Sequence, residues 1–261
     1  MKHFSKYLLL ACASAGMMAS CSNEIDDPKN PPINNGPGYY MGVNIIANGQ
    51  GGTRSYTDGD NSSNDGTEGG YKKENHVGSL LVVIAKNSDN SFIAASQINN
   101  DKITGTSTPG QYLTTSKFSR DEIDAYYAAG NVETTVNIFV FCNPNEPLKN
   151  TISTTQLGDK TWYNTVAKLS SAADGSLWST AGEGSFVMSN YEISTRQIPT
   201  KAETWAHYTT EQNAFDLSGS NTQGESIDNS AEGNGGNIKV HRMAARFDFK
   251  DGSPQTIRHI R

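Results

Sequence analysis

Residues Leu80-Leu81-Val82-Val83-Ile84 form an unbroken apolar run, bounded by Gly78-Ser79 on one side and Lys86-Asn87-Ser88-Asp89 on the other. It is far too short to span a bilayer, which takes roughly 20 apolar residues. Its β-branched content and length suit a strand buried on both faces, so whatever fold it enters must cover it from above and below. That requirement fixes the reading of the remaining chain. Six further stretches have strand character and turn residues at their ends: 39–48, 92–97, 111–118, 133–143, 185–193 and 237–250. In the first, Tyr39, Met41, Val43, Ile45 and Ala47 alternate with smaller or polar residues and can share one buried face.

Between the strands the chain is rich in Gly, Ser, Thr and Asn. Hydrophobic residues make up 35% and charged residues 18%, a balance that favours short strands and polar loops over a helical bundle. The stretch from Gly49 to Gly70 reads as an exposed, mobile loop, with Arg54 in it, and 218–237 reads as a second long loop. Two short helices are expected. One covers 120–129, where Ser119 is a good N-cap and Asp121 and Glu122 stand in the first turn; the other covers 161–170. The fold class that accommodates all of this is all-β: a β-sandwich with short helical insertions and long polar loops.

The first twenty residues are a leader. Lys2 and Lys6 precede an apolar stretch from Tyr7 to Met18, and small residues follow, as in a secretory signal. Met18-Ala19-Ser20-Cys21 resembles a lipobox, in which the cysteine thiol accepts diacylglycerol and becomes the first residue of the mature chain. Cys21 is therefore the expected lipidation site. Acyl chains at about 0.8 kcal/mol per buried CH₂ would hold it to a membrane. Ser22-Asn23-Glu24-Ile25-Asp26-Asp27 and a Pro- and Gly-rich tether follow. Of the three cysteines, Cys12 lies in the leader and Cys21 at its end, so Cys142 has no partner for an internal disulfide and reads as a small buried hydrophobe.

Much chemistry is not indicated. The net charge of −6 supplies no basic face for nucleic acid. The five histidines show neither HExxH nor paired spacing, and no metal or other cofactor is expected. Asp58, Asp60, Asp65 and Glu68 do not match the spacing of an EF-hand loop. No nucleophile elbow, phosphate-binding glycine loop or desolvated carboxylate pair is visible, so the chain does not read as an enzyme. Trp162, Tyr163, Trp178, Trp205 and Tyr208 fit either a sugar-stacking platform or the cover of a core. The first alternative describes a glycan-binding surface lipoprotein.

Several motifs in order resemble the Bacteroidales fimbrillin family, the type V pilins. These are the lipobox, the apolar strand, the arginine in a polar loop, and Glu74-Asn75-His76-Val77-Gly78-Ser79-Leu80 leading into a buried strand. Val136-Asn137-Ile138-Phe139-Val140-Phe141-Cys142-Asn143, Phe186-Val187-Met188-Ser189-Asn190 and Val240-His241-Arg242-Met243-Ala244-Ala245-Arg246-Phe247 continue the pattern. The resemblance implies a structural subunit with transthyretin-like β-sandwich domains, exported to the outer membrane surface as a lipoprotein and incorporated into extracellular fimbriae that support adhesion and biofilm formation. It implies cleavage by an Arg-specific protease between Arg54 and Ser55. Residues 1–20 would then be the signal peptide, 21–54 the lipidated tether with a removable strand, and 55–261 the family's N-terminal domain. Cleavage would displace the strand that carries Tyr39, Met41, Val43 and Ile45. A C-terminal strand of another fimbrial subunit would replace it by β-strand addition. Host or bacterial surface ligands are further partners of this kind of fibre. The sequence ends at Ile257-Arg258-His259-Ile260-Arg261, without the second domain and donor strand that the family pairs with the first.

Overall fold

A computed structural model of the chain describes residues 36–47, 76–99, 102–106, 110–170, 187–190, 192–231 and 236–242. Three of the anticipated strands are almost unchanged: β1 (Gly38–Ala47), β3 (Phe92–Asn99) and β5 (Gln111–Ser119). β2 (Ser79–Lys86) extends the Leu80–Ile84 run at both ends, and β6 (Thr135–Cys142) lies within the expected 133–143. Short β4 (Ile103–Gly105) precedes β5. Helix α1 (Arg120–Ala128) starts at Ser119, whose hydroxyl accepts from the Glu122 N–H at 3.4 Å. Helices α2 (Glu146–Ser153) and α3 (Thr161–Ser170) follow β6. Then come β7 (Met188–Asn190), β8 (Ser194–Gln197), β9 (Phe215–Asp216), β10 (Ser220–Asn221), β11 (Ile227–Asp228) and β12 (Ile238–Arg242).

The architecture is all-β, as the sequence implies. The two layers of the expected sandwich are joined through short β7 and β12 into one hydrogen-bonded sheet, ordered β3-β2-β6-β7-β12-β1-β5-β4, with β8 on β6 and β9 on β1. The larger core takes Leu80, Val82, Ile138 and Val140 from one layer and Met41, Val43, Ile45 and Phe118 from the other. At the seam where β3 approaches β5, the Ser96 hydroxyl donates to the Lys117 carbonyl at 2.6 Å. The opposite face of β2 carries Leu81 and Val83 into a second core with Phe139 and Phe141, roofed by Leu148 and Ile152 of α2 and by Trp162 and Val166 of α3. This is the double cover that the Leu80–Ile84 run demands. Cys142 is fully buried and free, and burial pushes its thiol pKa up, away from nucleophilic use.

The family-like motifs have local physical roles. Asn143, at the end of β6 with φ of 52°, accepts from the Gly78 N–H and donates to the His76 carbonyl, both at 2.8 Å. The His-Val-Gly segment and the terminal asparagine are thus two halves of one clamp. Asn190 of β7 accepts from the Val140 N–H at 2.8 Å and donates to the Ile138 carbonyl at 2.9 Å. Its amide fills the gap on the flank of β6 between β7 and β8.

One expectation is corrected. The stretch 218–237, read as a long loop because of its Gly, Asn and Ser, contains the β10–β11 pair, and Ser218, Asn221 and Asn229 within it are buried. Asparagine side chains supply backbone-like hydrogen bonds here: Asn221 accepts from the Asp216 N–H at 2.7 Å and donates to its carbonyl at 2.9 Å. Short β4, β8 and β9 and helix α2 also escaped the apolar pattern. Asn145-Glu146-Pro147 is nevertheless a legible helix start, with the Asn145 side chain accepting from the Leu148 N–H at 3.1 Å.

Candidate functional site

The alternation in β1 folds as its period dictates. Tyr39, Met41, Val43, Ile45 and Ala47 point into the larger core, and Met41, Val43 and Ile45 are fully buried. Burying each of the aliphatic and Met side chains is worth about 1.5–3 kcal/mol. β1 is an interior strand. On one side it pairs antiparallel with β5, from Gly38 opposite Ser119 to Ile46 opposite Gln111. On the other side the ladder is built from two pieces. β9 runs parallel beside Met41 and Gly42, and β12 runs parallel beside Ile45, Ile46 and Ala47.

Between those pieces the hydrogen bonding continues without a strand. Leu217 N–H donates to the Gly42 carbonyl at 3.0 Å, and Asn44 N–H donates to the Ser218 hydroxyl at 3.2 Å. At the start of the strand, Tyr40 N–H donates to the Tyr208 carbonyl at 2.8 Å. Behind this composite flank lies buried Arg196 of β8. Its guanidinium donates to the carbonyls of Leu217 at 2.6 Å, Gly236 at 2.7 Å and Thr195 at 2.7 Å. It thereby ties the end of β9 to the approach of β12. Gly236 has φ of 79° and a Cβ there would lie 2.0 Å from the Ser218 carbonyl oxygen, so only glycine fits this approach.

The N-terminal end of β1 has the richest side-chain chemistry. The Tyr39 ring stacks on Trp205 with centroids 5.6 Å apart and planes at 29°. The Arg120 guanidinium lies 5.3 Å from the ring centroid, and the Tyr39 hydroxyl donates to Asp124 Oδ1 at 2.9 Å. Burial first, then the hydrogen bond to Asp124, raises the Tyr39 pKa to about 12. Trp205 is itself fixed, donating from Nε1 to the Tyr127 hydroxyl at 3.0 Å and packing against Tyr208 and Phe215. Arg120 and Asp124 lie one turn apart on α1, so both reach the same ring. Gly38, just before Tyr39, has no room for a side chain: a Cβ would sit 2.6 Å from the Phe118 carbonyl oxygen.

Of the anticipated site residues, Tyr39, Met41, Val43 and Ile45 are brought together along one face of one strand. Cys21, Arg54 and Ser55 lie outside the described residues, as do Asp58, Asp60, Asp65 and Glu68. Among the described residues the sugar platform is not assembled. Trp162 belongs to the core under α2 and α3, whereas Trp205 and Tyr208 belong to the other core, and all three are buried; Trp178 lies outside the described residues. Rings divided between two cores do not form one stacking surface. Among the described residues no group of three or more His, Cys, Asp or Glu side chains is placed to hold a metal ion.

No family model and no curated protein matches the chain. Solved structures are similar to it. One is a cell adhesion protein of Parabacteroides distasonis, 11% identical with a TM-score of 0.39 over 79% of this chain and 40% of that one. Another is the fimbrial tip protein Mfa3 of Porphyromonas gingivalis with a C-terminal truncation, 15% identical with a TM-score of 0.38 over 79% and 48%. A fimbrial assembly protein of Parabacteroides distasonis is 12% identical with a TM-score of 0.30 over 61% and 52%. The chain spans less than half the length of the first two. These neighbours are adhesion and fimbrial proteins of Bacteroidales, the order whose fimbrillin family the sequence motifs resemble.

Proposed function

We propose that this chain is a structural, non-catalytic fimbrial subunit of the bacterial surface, in which β1 is a removable strand and its bed accepts a strand from another subunit. The chain would be exported as a lipoprotein through Cys21, held at the outer membrane, and cut by an Arg-specific protease between Arg54 and Ser55. Incorporation into an extracellular, adhesive fimbrium follows the cut.

The observation that carries this reading is the position of β1. It is the first strand among the described residues, yet it occupies the interior of the sheet, and its partners lie far along the chain at β5, β9 and β12. The segment that follows it contains Arg54, so a single cut there leaves β1 attached to the domain by noncovalent contacts alone. Release of β1 would strip the core of Met41, Val43 and Ile45 and bare the backbone groups of β5 on one side and of β9 and β12 on the other. Each buried backbone group left unsatisfied costs about 1–3 kcal/mol. An empty bed of this kind is an acceptor for any extended segment that restores the ladders and fills the pockets.

The test is to treat the purified precursor with an Arg-specific protease, and to read its new N-terminus and its binding of strand peptides. The expected result is Ser55 as the first residue, with a fluorescent peptide of the Gly38–Ala47 sequence binding the cut chain and not the uncut one. Arg54→Ala should abolish both. Peptide binding to uncut chain, or a cut chain that keeps β1 and ignores the peptide, would refute strand replacement.

A further inference from the structure

We infer that the bed of β1 recognises its occupant chiefly at one end, through a phenol-binding pocket made by Arg120, Asp124 and Trp205 that selects a strand beginning Gly-Tyr. The inference rests on the strand-exchange reading and adds to it the chemistry by which partners are chosen.

Every other core-facing position of β1 is occupied by an aliphatic side chain or Met, and hydrophobic contacts alone discriminate poorly among similar side chains. The Tyr39 position differs in making three directional contacts at once. Trp205 meets one aromatic ring with another, Arg120 offers a cation near the ring, and Asp124 accepts from the phenol hydroxyl. Phe would lose the last contact and Leu all three. The pocket is also built in advance of its occupant, because Trp205 is held by Tyr127, Tyr208 and Phe215, none of which belongs to β1. Arg120 and Asp124 are fixed on one face of α1, which the Tyr126 and Tyr127 hydroxyls tie to the Glu133 and Pro199 carbonyls, each at 2.6 Å and outside the removable segment.

Gly38 adds a steric filter. The nearest obstacle to a side chain is the Phe118 carbonyl oxygen in the β5 backbone, which cannot turn aside as a flexible side chain can. The same filter is absent at Gly42, where a Cβ would meet nothing closer than 3.8 Å. The occupant is therefore an extended segment of another chain with glycine and then tyrosine at its leading end, aliphatic residues at alternate positions after that, and room for at least a methyl at the Gly42 register.

The experiment measures the affinity of Arg-protease-treated full-length chain for fluorescent Gly38–Ala47 peptides. Relative to the native sequence, Tyr39→Phe should bind about tenfold more weakly and Tyr39→Leu about a hundredfold. Gly38→Ala should lose about tenfold, while Gly42→Ala and the half-buried neighbour Tyr40→Leu should stay within about threefold. On Asp124→Ala chain the native and Tyr39→Phe peptides should bind alike, which a purely structural role for Asp124 would not produce. If the native peptide binds but Tyr39→Leu binds equally well, strand exchange stands and the anchor is wrong. If the native peptide does not bind, the strand-exchange reading itself fails and the anchor falls with it. Coupling between Tyr39→Phe and Asp124→Ala in thermal unfolding of the uncut chain tests the pocket without any exchange, and additive effects there would overturn it.

Discussion

β1 and β2 are both interior strands of one sheet, yet they are held in different ways. β2 has a full-length neighbour on each side, β3 and β6, and it is buried on both faces, with Val82 in one core and Leu81 and Val83 in the other. β1 has one full-length neighbour, β5; its other flank is pieced together from β9, the Ser218 hydroxyl and β12, and its second face is only half-buried. The contrast teaches what would make an interior strand separable under the proposed exchange: no second core is built over it. Removing β2 would dissolve both cores. Removing β1 opens one.

The sharpest way to break this comparison is to place the same charge in each strand. Val82→Asp puts a carboxylate into the core at a fully buried position and should abolish cooperative folding. Val43→Asp, equally buried, should instead eject β1, leaving the amides of β2, β3 and β6 protected in hydrogen-exchange mass spectrometry while those of β1 exchange freely. Loss of protection throughout the Val43→Asp chain would show that the two strands are equally indispensable.

A smaller effect tests the composite flank. Ser218→Ala removes the acceptor of the Asn44 N–H and should cost about 1 kcal/mol, seen as faster exchange at Asn44 with little change at β2.

A further test is a pH effect at the seam between the layers. Glu122 is held against β3, where it accepts from the Ala95 N–H, and burial raises its pKa to about 7 from an ordinary 4.5. Its Oε2 is buried without a hydrogen-bond partner among the described residues. Because the folded pKa is above the unfolded one, the stability that Glu122 lends is fully present below about pH 4.5 and is lost as pH rises through about 7. The midpoint of thermal unfolding should decline modestly over that window, and Glu122→Gln should flatten the decline. A slope unchanged in the Gln variant would assign it to another group.

How much of this could be read beforehand follows the nature of each signal. β1, β2, β3, β5 and α1 were legible because their burial has a period of two, a continuous apolar run, or a cap residue before a turn of acids. Tyr39, Met41, Val43 and Ile45 were identifiable as one face for the same reason. β8, β9 and β12 were wholly or partly hidden, since Arg196 organises them by donating to the Leu217 and Gly236 carbonyls and Ser218 by accepting from the Asn44 N–H, and such bonds leave no periodic trace. Arg120 and Asp124 could have been paired by their spacing on an anticipated helix. That they enclose Tyr39 could not, because it depends on how α1 sits against a strand some eighty residues earlier in the chain.

The parallel pairing of β1 with β9 and β12 also sets an order of events. Synthesised from its N-terminal end, the chain makes β1 ahead of every other described strand, while the strands that complete its flank, at Phe215–Asp216 and Ile238–Arg242, come much later. Throughout that interval an apolar strand must wait with one side unsatisfied, and contacts so distant in sequence form slowly. A domain whose early strand is completed only by its late ones is exposed to stray pairing until the far end of the chain is made.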